Sequence, residues 1–306
     1  MPTTHQALPD ARNRHVLVSV NGRLVPRDRA TVSVFDSGFL VGDGIWEGIR
    51  LHQGALVHLD RHLDRLWAGA AATGLELGMT REDLAAAITR TTEANGMITD
   101  VHVRVMVTRG IKSTPAQHPD LGVGGPTLVI VAEHKVADPA VVAAGVRLHT
   151  SSVRRPPPDT LDQRLNSHSK LHEVVALIEA NEAGADEALM LDTNGFVATC
   201  NSTNFFVVAG DEVWTSTGLH CLNGITRGLV IELCDTEGIV ARQLDFTLAE
   251  VHRADEAFLT GTFGGITPVN AVDGVAIGDG SVPGPVTARL IDLYQTAFDR
   301  ASGSSR

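Results

Sequence analysis

The sequence is poor in aromatic residues, in cysteine and in clustered positive charge. Among its 306 residues are one tyrosine, three tryptophans and three cysteines, and 25 basic residues stand against 36 acidic ones. A formal net charge of -11 with no run of lysine or arginine disfavours binding to nucleic acid. The cysteines form no CxxC pair, and their odd number is typical of reduced thiols in the cytoplasm.

Long apolar runs are also absent. No stretch reaches the roughly 18 uninterrupted apolar residues of a membrane-spanning helix, and the start MPTTHQALPDARNRH lacks the apolar core of a signal peptide. We therefore expect a cytoplasmic protein without a membrane partner. A hydrophobic fraction of 43% over this length allows one large domain or two ordinary domains with real cores.

Local patterns predict a first lobe of the α+β class. Asn21-Gly22 lies between two alternating stretches and predicts a tight hairpin. The amphipathic stretch ALVHLDRHLDRLWAGAAATGL predicts a helix that ends near Gly74. Thr80 and Asp83 have capping-box spacing and predict a second helix, followed by the strands VHVRVMVTRG and PTLVIVAEH. The glycine-rich SGFLVGDGIWEGIRL predicts a packed turn between strands.

The second half has the strand patterns DEALMLD, GFVATC, NFFVVAG and EVWTS, and the helix patterns ITRGLVIELCDTEG and GPVTARLIDLYQTAFDRA. We therefore divide the chain into a flexible tail over residues 1–14, a small N-terminal α+β domain over 15–147, an interdomain linker over 148–165 and a larger C-terminal domain over 166–306.

The connector RRPPPDTLDQRLNSHSK ends at Lys170, near the middle of the chain. Its three prolines donate no backbone hydrogen bonds, which predicts an extended course rather than a helix. It leads into LHEVVALIEANEAG, where apolar residues recur at helical spacing at Leu171, Val174, Val175 and Ile178. Lys170 thus lies at a helix entry where two lobes would meet, and ligand sites favour such junctions.

Two stretches place backbone N–H groups next to hydroxyls. Asn223-Gly-Ile-Thr226 opens a predicted helix, and Thr260-Gly-Thr262 ends a predicted strand. A helix N-terminus with free N–H groups favours an anion such as phosphate. The alternative is that Thr226 simply lies near a helix cap. Neither stretch has the glycine pattern of nucleotide-binding loops.

Histidine pairs invite a metal interpretation. His58 and His62, like His168 and His172, are four residues apart and could share a helix face. No HExxH pattern accompanies them, so we favour solvated or core histidines. The absence of a GxSxG elbow gives a serine hydrolase little support.

Several ordered motifs resemble those of the class IV aminotransferases. They are SVFDSGFLVGDGIWEGIR, HLDRLWAGA, RRPPPDT, GADEALMLDTNGFVATCNSTNFF, LNGITRGLV, ADEAFLTGTFGGITPV and GPVTARLIDLY. This is the fold type IV family of pyridoxal-phosphate (PLP) enzymes, with branched-chain and D-amino acid aminotransferases and aminodeoxychorismate lyase among its members. The resemblance runs from about Val18 to Phe298.

The resemblance implies an α/β (α+β) fold of two domains, with a small N-terminal lobe, a larger C-terminal lobe with a β-barrel-like core, and PLP between the lobes of a homodimer. It implies that Gly224, Ile225 and Thr226, together with Gly261 and Thr262, bind the PLP phosphate. Arg104 is a candidate for binding a substrate carboxylate. A structural ion pair is the alternative for this arginine.

Three cofactor contacts depart from the family pattern. Ungapped counts from Arg154 forward and from Gly184 backward both place the family's PLP-binding lysine on Asn166. The family's glutamate that faces the pyridine nitrogen falls on Thr199, and its phosphate-binding arginine falls on His58. Thr199 is expected to hydrogen-bond only a neutral ring nitrogen. His58 is a cation only near or below pH 6.5 or so, which predicts reduced PLP affinity.

Asn166 has no amine, and Lys170 is the nearest lysine. If the chain is already helical at Asn166, the two residues lie on one helix face about 6 Å apart along the axis. The amine of Lys170 would then reach the vacated place. The alternative is a local deletion that makes Lys170 the ordinary family lysine.

The leading hypothesis is a cytoplasmic, homodimeric, PLP-dependent class IV aminotransferase. It would transfer the amino group between a small, branched-chain-like amino acid and a 2-oxo acid, with Lys170 as the amine that binds PLP and moves the proton. One alternative is a PLP lyase or a PLP-independent activity with Lys170, His168 and His58 as acid and base groups. The other is a non-catalytic member that binds a phosphorylated metabolite or a partner.

Overall fold

The computed structural model describes Thr4 and residues 7–303. The described residues form two compact units. The N-terminal unit comprises residues 8–136, 165–170 and 299–303, and the C-terminal unit comprises the rest. Residues 165–170, expected at the junction of linker and second domain, are therefore a return of the chain to the N-terminal unit. The predicted tail lies partly outside the described residues.

The N-terminal unit is a six-stranded antiparallel sheet with helices. In chain order its elements are β1 (Leu17–Val20), β2 (Arg23–Pro26), α1 (Ser37–Val41), β3 (Gly44–His52), β4 (Ala55–Leu56), α2 (Leu59–Thr73), α3 (Arg81–Ala94), β5 (Val101–Thr108) and β6 (Thr127–His134). The strand order is β2-β1-β6-β5-β3-β4.

Local chemistry explains several boundaries in this unit. Asn21 and Gly22 have φ angles of 49° and 78°, as the tight turn of the predicted hairpin requires. Thr80 and Asp83 form the predicted capping box at the start of α3. The glycine-rich stretch is more than the predicted turn, because Asp36 accepts a hydrogen bond from Gly38 N–H and so opens the short helix α1.

The two faces of this sheet have opposite characters. Alternate residues of β5 are buried in the hydrophobic core, among them Val103 and Val105, and α2 and α3 contribute Leu66 and Ile88 to the same core. The residues between them, including Arg104, lie on the other face. The face of β3 and β5 that carries Arg104 is therefore the more exposed face of this sheet.

The C-terminal unit is built on a nine-stranded mixed sheet. Its elements are α4 (Pro139–Ala144), β7 (Val146–Thr150), α5 (Leu171–Glu182), β8 (Glu187–Leu191), β9 (Val197–Cys200), β10 (Asn204–Ala209), β11 (Glu212–Thr215), α6 (Ile225–Thr236), β12 (Val240–Gln243), α7 (Leu248–Val251), β13 (Glu256–Gly261), β14 (Gly265–Val272), β15 (Val275–Ala276) and α8 (Pro285–Ala301). The sheet order is β12-β11-β10-β13-β14-β7-β8-β9, with β15 paired to β14.

This sheet curls into a half-barrel. β9 ends one edge of the hydrogen-bonded order, yet side chains of β9 and β10 touch. One core, with Phe205, Val207 and Leu259, fills the concave side. A second core, with Phe206 and Phe258, lies against α6 and α8. The predicted two-lobed α/β fold with a barrel-like C-terminal core is confirmed.

Helix α5 confirms the predicted periodicity but buries a different face. Ala176 and Ala180 pack against the sheet. The apolar stripe that signalled the helix is instead exposed, with Leu171 75%, Val174 51%, Val175 40% and Ile178 50% accessible. We call these four residues the α5 stripe. Among the described residues, no helix is both long enough and apolar enough to cross a membrane.

Candidate cofactor and substrate residues

The connector is held to the C-terminal unit by a buried arginine. Arg155 is 3% exposed, and its Nη1 donates to the Glu173 carboxylate at 2.9 Å. Its Nε donates to the His220 carbonyl at 3.0 Å. Because Glu173 lies in the first turn of α5, this pairing fixes the connector against the helix that follows it. The predicted non-helical course of the connector is confirmed.

Residues 166–168 act as a short additional strand on β3. The Trp46 N–H donates to the Asn166 carbonyl and the His168 N–H donates to the Gly44 carbonyl, each at 2.9 Å. Ile45 and Ser167 form the antiparallel bridge between them. These hydrogen bonds hold the backbone of Asn166 beside the glycine-rich start of β3.

Asn166 is buried and its amide is engaged. The residue is 5% exposed, and its Nδ2 donates to the Trp46 carbonyl at 2.6 Å. Its Oδ1 is buried and has no hydrogen-bond partner among the described residues. The side chain of Asn166 therefore makes one hydrogen bond, to the backbone of β3. Asn166 therefore serves here as a backbone clamp.

The premise that placed Lys170 one helical turn from Asn166 is wrong. Helix α5 begins at Leu171, and residues 165–170 are not helical. Non-helical chain can separate residues four apart by up to about 13 Å, more than twice one helical turn. Lys170 is half-buried. Any role for its amine therefore cannot rest on a shared helix face.

In the N-terminal unit, Arg104 and Lys170 place positive charge near the ring of His168. The guanidinium carbon of Arg104 lies 3.8 Å from the centroid of the Trp46 ring, a cation–π contact. Arg104 is an exposed residue, and partial desolvation of its guanidinium lowers its pKa. Burial also lowers the pKa of His168, and the positive charges of Arg104 and Lys170 add to this effect. The His168 Nε2–H donates to the Ile45 carbonyl at 3.2 Å.

A glycine makes room for this arrangement. Gly48 pairs directly with Arg104 across β3 and β5. A Cβ atom at Gly48 would lie 3.0 Å from Nε2 of His102 and 3.5 Å from the Trp46 ring. No carboxylate of the described residues pairs with Arg104, so the alternative of a structural ion pair is not found. A cation stacked on a ring without an acid partner can bind a carboxylate.

His58 and His62 do not share one environment. His58 is the N-cap of α2, half-buried, with a left-handed φ of 54°. His62 is 2% exposed, and its Nδ1 lies 2.7 Å from the Glu47 carboxylate. Arg65 donates to the same carboxylate through two nitrogens. His62 is therefore a core histidine, and no group of metal-ligating side chains occurs among the described residues.

In the C-terminal unit, Gly224 is the N-cap of α6, and no side chain caps the helix. A Cβ atom at Gly224 would collide with Oδ1 of Asn204. Ile225 and Thr226 are the first two residues of the helix, and Thr226 is 4% exposed. The N–H groups that open a helix lack carbonyl partners within it, and they favour an anion.

Asn204 joins this helix start to Thr199. Its Nδ2 donates to the Leu222 carbonyl at 2.9 Å and approaches the Thr199 hydroxyl at 3.4 Å. The Thr199 hydroxyl itself donates to the Thr203 carbonyl at 2.8 Å. Its proton is thus used within the chain, and towards a ligand it can only accept. The contact between Thr199 and a ring nitrogen stays a prediction.

The second hydroxyl-bearing loop comes to the same place. Thr260 of β13 pairs with Asn204 of β10, and a Cβ atom at Gly261 would lie 3.3 Å from the Thr203 side chain. Thr262 follows β13 directly and is half-buried. Three of the predicted residues, Thr199, Gly224 and Gly261, thus lie against the pair Thr203-Asn204. The other three follow them directly in the chain, namely Ile225 and Thr226 after Gly224, and Thr262 after Gly261.

Sequence reasoning missed Thr203, Asn204 and Arg227, and it named Thr260 only as part of the stretch Thr260-Gly-Thr262. Thr203 and Thr260 each have a buried hydroxyl with no hydrogen-bond partner among the described residues. Asn204 orients the helix start, and Arg227 is a buried cation in its first turn. Asn204 and Arg227 lie within the quoted motifs GADEALMLDTNGFVATCNSTNFF and LNGITRGLV, but only tertiary contacts distinguish them from their neighbours.

Comparisons with known proteins give the family. The amino-transferase class IV family model matches residues 44–272. The chain is 41% identical over 295 residues to branched-chain-amino-acid aminotransferase-like protein 2 of Arabidopsis thaliana, covering 96% of this chain and 52% of that protein. The chain therefore spans about half the length of this relative.

Two further matches extend over nearly the whole of both chains. A putative branched-chain-amino-acid aminotransferase of Methanocaldococcus jannaschii is 37% identical over 284 residues, covering 91% of this chain and 95% of that protein. The crystal structure of a T.th. branched-chain amino acid aminotransferase with N-(5'-phosphopyridoxyl)-L-glutamate has a TM-score of 0.86 at 30% identity, covering 94% of this chain and 95% of that one. The chain belongs to the class IV aminotransferase family.

Proposed function

We propose that this chain is a PLP-dependent aminotransferase that moves an amino group between a small, branched-chain-like amino acid and a 2-oxo acid. The proposal depends on one observation in a chain of this family. No side chain caps the start of α6, and its N-cap Gly224 packs closely against Asn204. Relatives over nearly their whole length are named as aminotransferases, and one solved relative holds a phosphopyridoxyl amino acid.

PLP, when bound, supplies an aldehyde for the amino group and a ring that withdraws electrons from the α-carbon. In this proposal Gly224, Ile225 and Thr226 bind its phosphate through backbone N–H groups, with Gly261 and Thr262 completing the cradle. The two buried hydroxyls without partners, on Thr203 and Thr260, are consistent with a polar ligand here.

The amine is assigned to Lys170. The chain has only three lysines, at positions 112, 135 and 170. The Lys112 Nζ donates hydrogen bonds to the carbonyls of Gln117 and His118 at 3.3 and 3.0 Å. Lys112 is therefore not assigned as the amine that binds PLP. Lys170 neighbours His168 and lies four residues from the position of the family lysine. It would hold the cofactor and carry the proton.

Three residues tune binding in this proposal. Arg104, stacked on Trp46, binds the substrate carboxylate. Thr199, whose hydroxyl donates to the Thr203 carbonyl, brings no negative charge to keep the ring nitrogen protonated. His58 contributes positive charge to phosphate binding only when protonated. Both replacements lower the expected affinity for PLP.

A homodimer is the proposed assembly, because the α5 stripe exposes four large apolar side chains on one helix face. A second copy of the chain would cover them. The three cysteines are free and buried, which is consistent with the cytoplasm as the proposed location.

Borohydride reduction of the purified chain with PLP, followed by peptide mass spectrometry, tests the assignment. We expect the adduct on Lys170, and we expect Lys170→Ala to lose the visible absorption band and at least about a hundredfold in transamination rate. Lys135→Ala is the matched control and should keep both. The substrates are the L and D enantiomers of leucine and alanine, each with 2-oxoglutarate as the amino acceptor.

An adduct on Lys135 or Lys112 would overturn the role of Lys170 and keep the cofactor. No adduct and no amino transfer by the wild-type chain would overturn the proposed function.

A further inference from the structure

We propose that Arg227 is the fixed positive charge of an anion-binding site at the start of α6, whose ligand is a phosphate monoester. The inference deepens the proposed function and rests on it for the identity of the phosphate ester. It goes beyond the backbone cradle, because it assigns the charge of the site to a side chain behind the helix start.

Arg227 is buried with neutral partners only. The residue is 5% exposed. Its Nη2 donates to the Ser216 carbonyl at 2.7 Å and to Gln243 Oε1 at 2.8 Å, and its Nη1 lies 3.4 Å from Asn223 Oδ1. Its Nε is buried without a hydrogen-bond partner, and no carboxylate of the described residues pairs with the guanidinium.

This arrangement leaves a buried cation uncompensated. Buried charges in proteins are normally paired, because desolvation otherwise disfavours them strongly. Burial does lower the pKa of Arg227. The thiol of Cys221 acts in the opposite direction, but as the smaller effect. An external anion would supply the missing negative charge.

The position of Arg227 on α6 leads to the same conclusion. Gly224 is the N-cap, so Arg227 is the third helical residue. The helix dipole makes this end positive, and a cation here is repelled rather than stabilised. An anion at the helix start would be attracted both by the positive end of the helix dipole and by the guanidinium of Arg227. It would therefore turn a repulsion into two attractions.

A second buried polar side chain near the helix start also lacks a hydrogen-bond partner. The Thr260 hydroxyl is buried and unpaired among the described residues, and Thr260 pairs across the sheet with Asn204. Asn204 in turn packs against Gly224. The unsatisfied hydroxyl and the free helix N–H groups therefore lie around Asn204, and the guanidinium lies beside Asn223, the residue before the helix cap. A phosphate monoester carries the charge and the acceptor oxygens that would satisfy all three.

The test uses the full chain and inorganic phosphate, so that no aldehyde chemistry enters. Thermal unfolding is followed over a phosphate titration at fixed ionic strength, with chloride as the balancing anion. We expect phosphate to raise the midpoint of the wild-type chain and Arg227→Gln to weaken the apparent phosphate affinity at least about tenfold. Arg227→Lys keeps the charge and should retain most of the affinity.

Arg289→Gln is the matched control, since Arg289 is an exposed arginine of the same unit paired with Glu237. Its phosphate response should equal that of the wild type. Comparing responses to phosphate, rather than midpoints, separates an anion site from a structural role of Arg227, because a purely structural loss lowers every midpoint by the same amount.

An unchanged phosphate affinity in Arg227→Gln overturns the proposal. If Arg227→Gln does not fold, Arg227→Met is the second neutral variant: a phosphate affinity at least about tenfold weaker than wild type supports the proposal, and an unchanged affinity overturns it. No phosphate response in a wild-type chain that still forms a PLP adduct overturns this inference alone. An Arg227-dependent phosphate response without any PLP adduct or amino transfer supports it and removes the proposed function.

Discussion

At the residue scale, one hydrogen bond each determines what the side chains of Asn166 and Thr199 can do. The Asn166 amide is committed to the Trp46 carbonyl, and the Thr199 hydroxyl is committed to the Thr203 carbonyl. The sequence identifies both replacements by position. It does not tell whether the hydroxyl proton of Thr199 is available, because the acceptor lies on a turn whose geometry depends on the curled sheet.

His168 gives the chain a predictable response to acid. Burial and the charges of Arg104 and Lys170 lower its pKa, against the opposing effects of the Ile45 carbonyl and Asp36. Above about pH 6.5 the ring is neutral in the folded and unfolded chain and contributes nothing. Below that pH the unfolded chain takes up the proton first, so the free energy of unfolding falls.

Replacing the ring should therefore remove part of the acid sensitivity. We expect His168→Asn to lose less of its free energy of unfolding than the wild type between about pH 7.5 and 5.5, measured by urea denaturation. His15→Asn, at an exposed position, is the control and should follow the wild type. Equal pH dependence of His168→Asn and wild type would contradict this account.

At the element scale, the patterns that depend on neighbours in sequence were predictable. The hairpin at Asn21, the capping box at Thr80 and the helix end at Gly74 all occur as predicted. Pairing of residues 166–168 with the start of β3 was not predictable, because no local signal records a hydrogen bond between residues about 120 positions apart. The mistaken helical premise for Lys170 has this origin.

The capping box at α3 can be tested by itself. Thr80 accepts a hydrogen bond from the Asp83 N–H, and the Asp83 carboxylate accepts one from the Thr80 N–H. Thr80→Ala leaves a helix N–H without its partner and should lower the free energy of unfolding by about 1 kcal/mol. Chemical denaturation measures the change. Thr89→Ala, exposed in the same helix, should change it by less than about 0.5 kcal/mol; equal losses would contradict the capping role.

At the scale of the whole molecule, composition bounded the problem and the motifs gave the family. The match over residues 44–272 agrees with the resemblance that the ordered motifs suggested. Which apolar face of α5 packs inward was decided by packing alone. Alanines at 176 and 180 allow the helix to approach the sheet, and the bulkier stripe is left outside.

The exposed α5 stripe makes the proposed homodimer testable. Val174→Asp places a charge at the middle of the stripe and should shift the chain from dimer to monomer in light scattering after size exclusion, because burying an unpaired carboxylate is strongly unfavourable. Thr89→Asp adds the same charge at an exposed position of α3, away from the stripe, and should leave the dimer intact. A Val174→Asp chain that remains dimeric would exclude this face as the interface.

By itself the sequence determined most of the elements, the two-lobed α/β class and the family. These follow from periodicity, capping chemistry and ordered motifs, which are local properties of the chain. Tertiary structure alone decided that Asn166 clamps Trp46, that Thr199 can only accept, and that Arg227 is buried without an acid. Each depends on atoms distant in sequence, and burial and hydrogen-bond pairing exist only once the chain has folded.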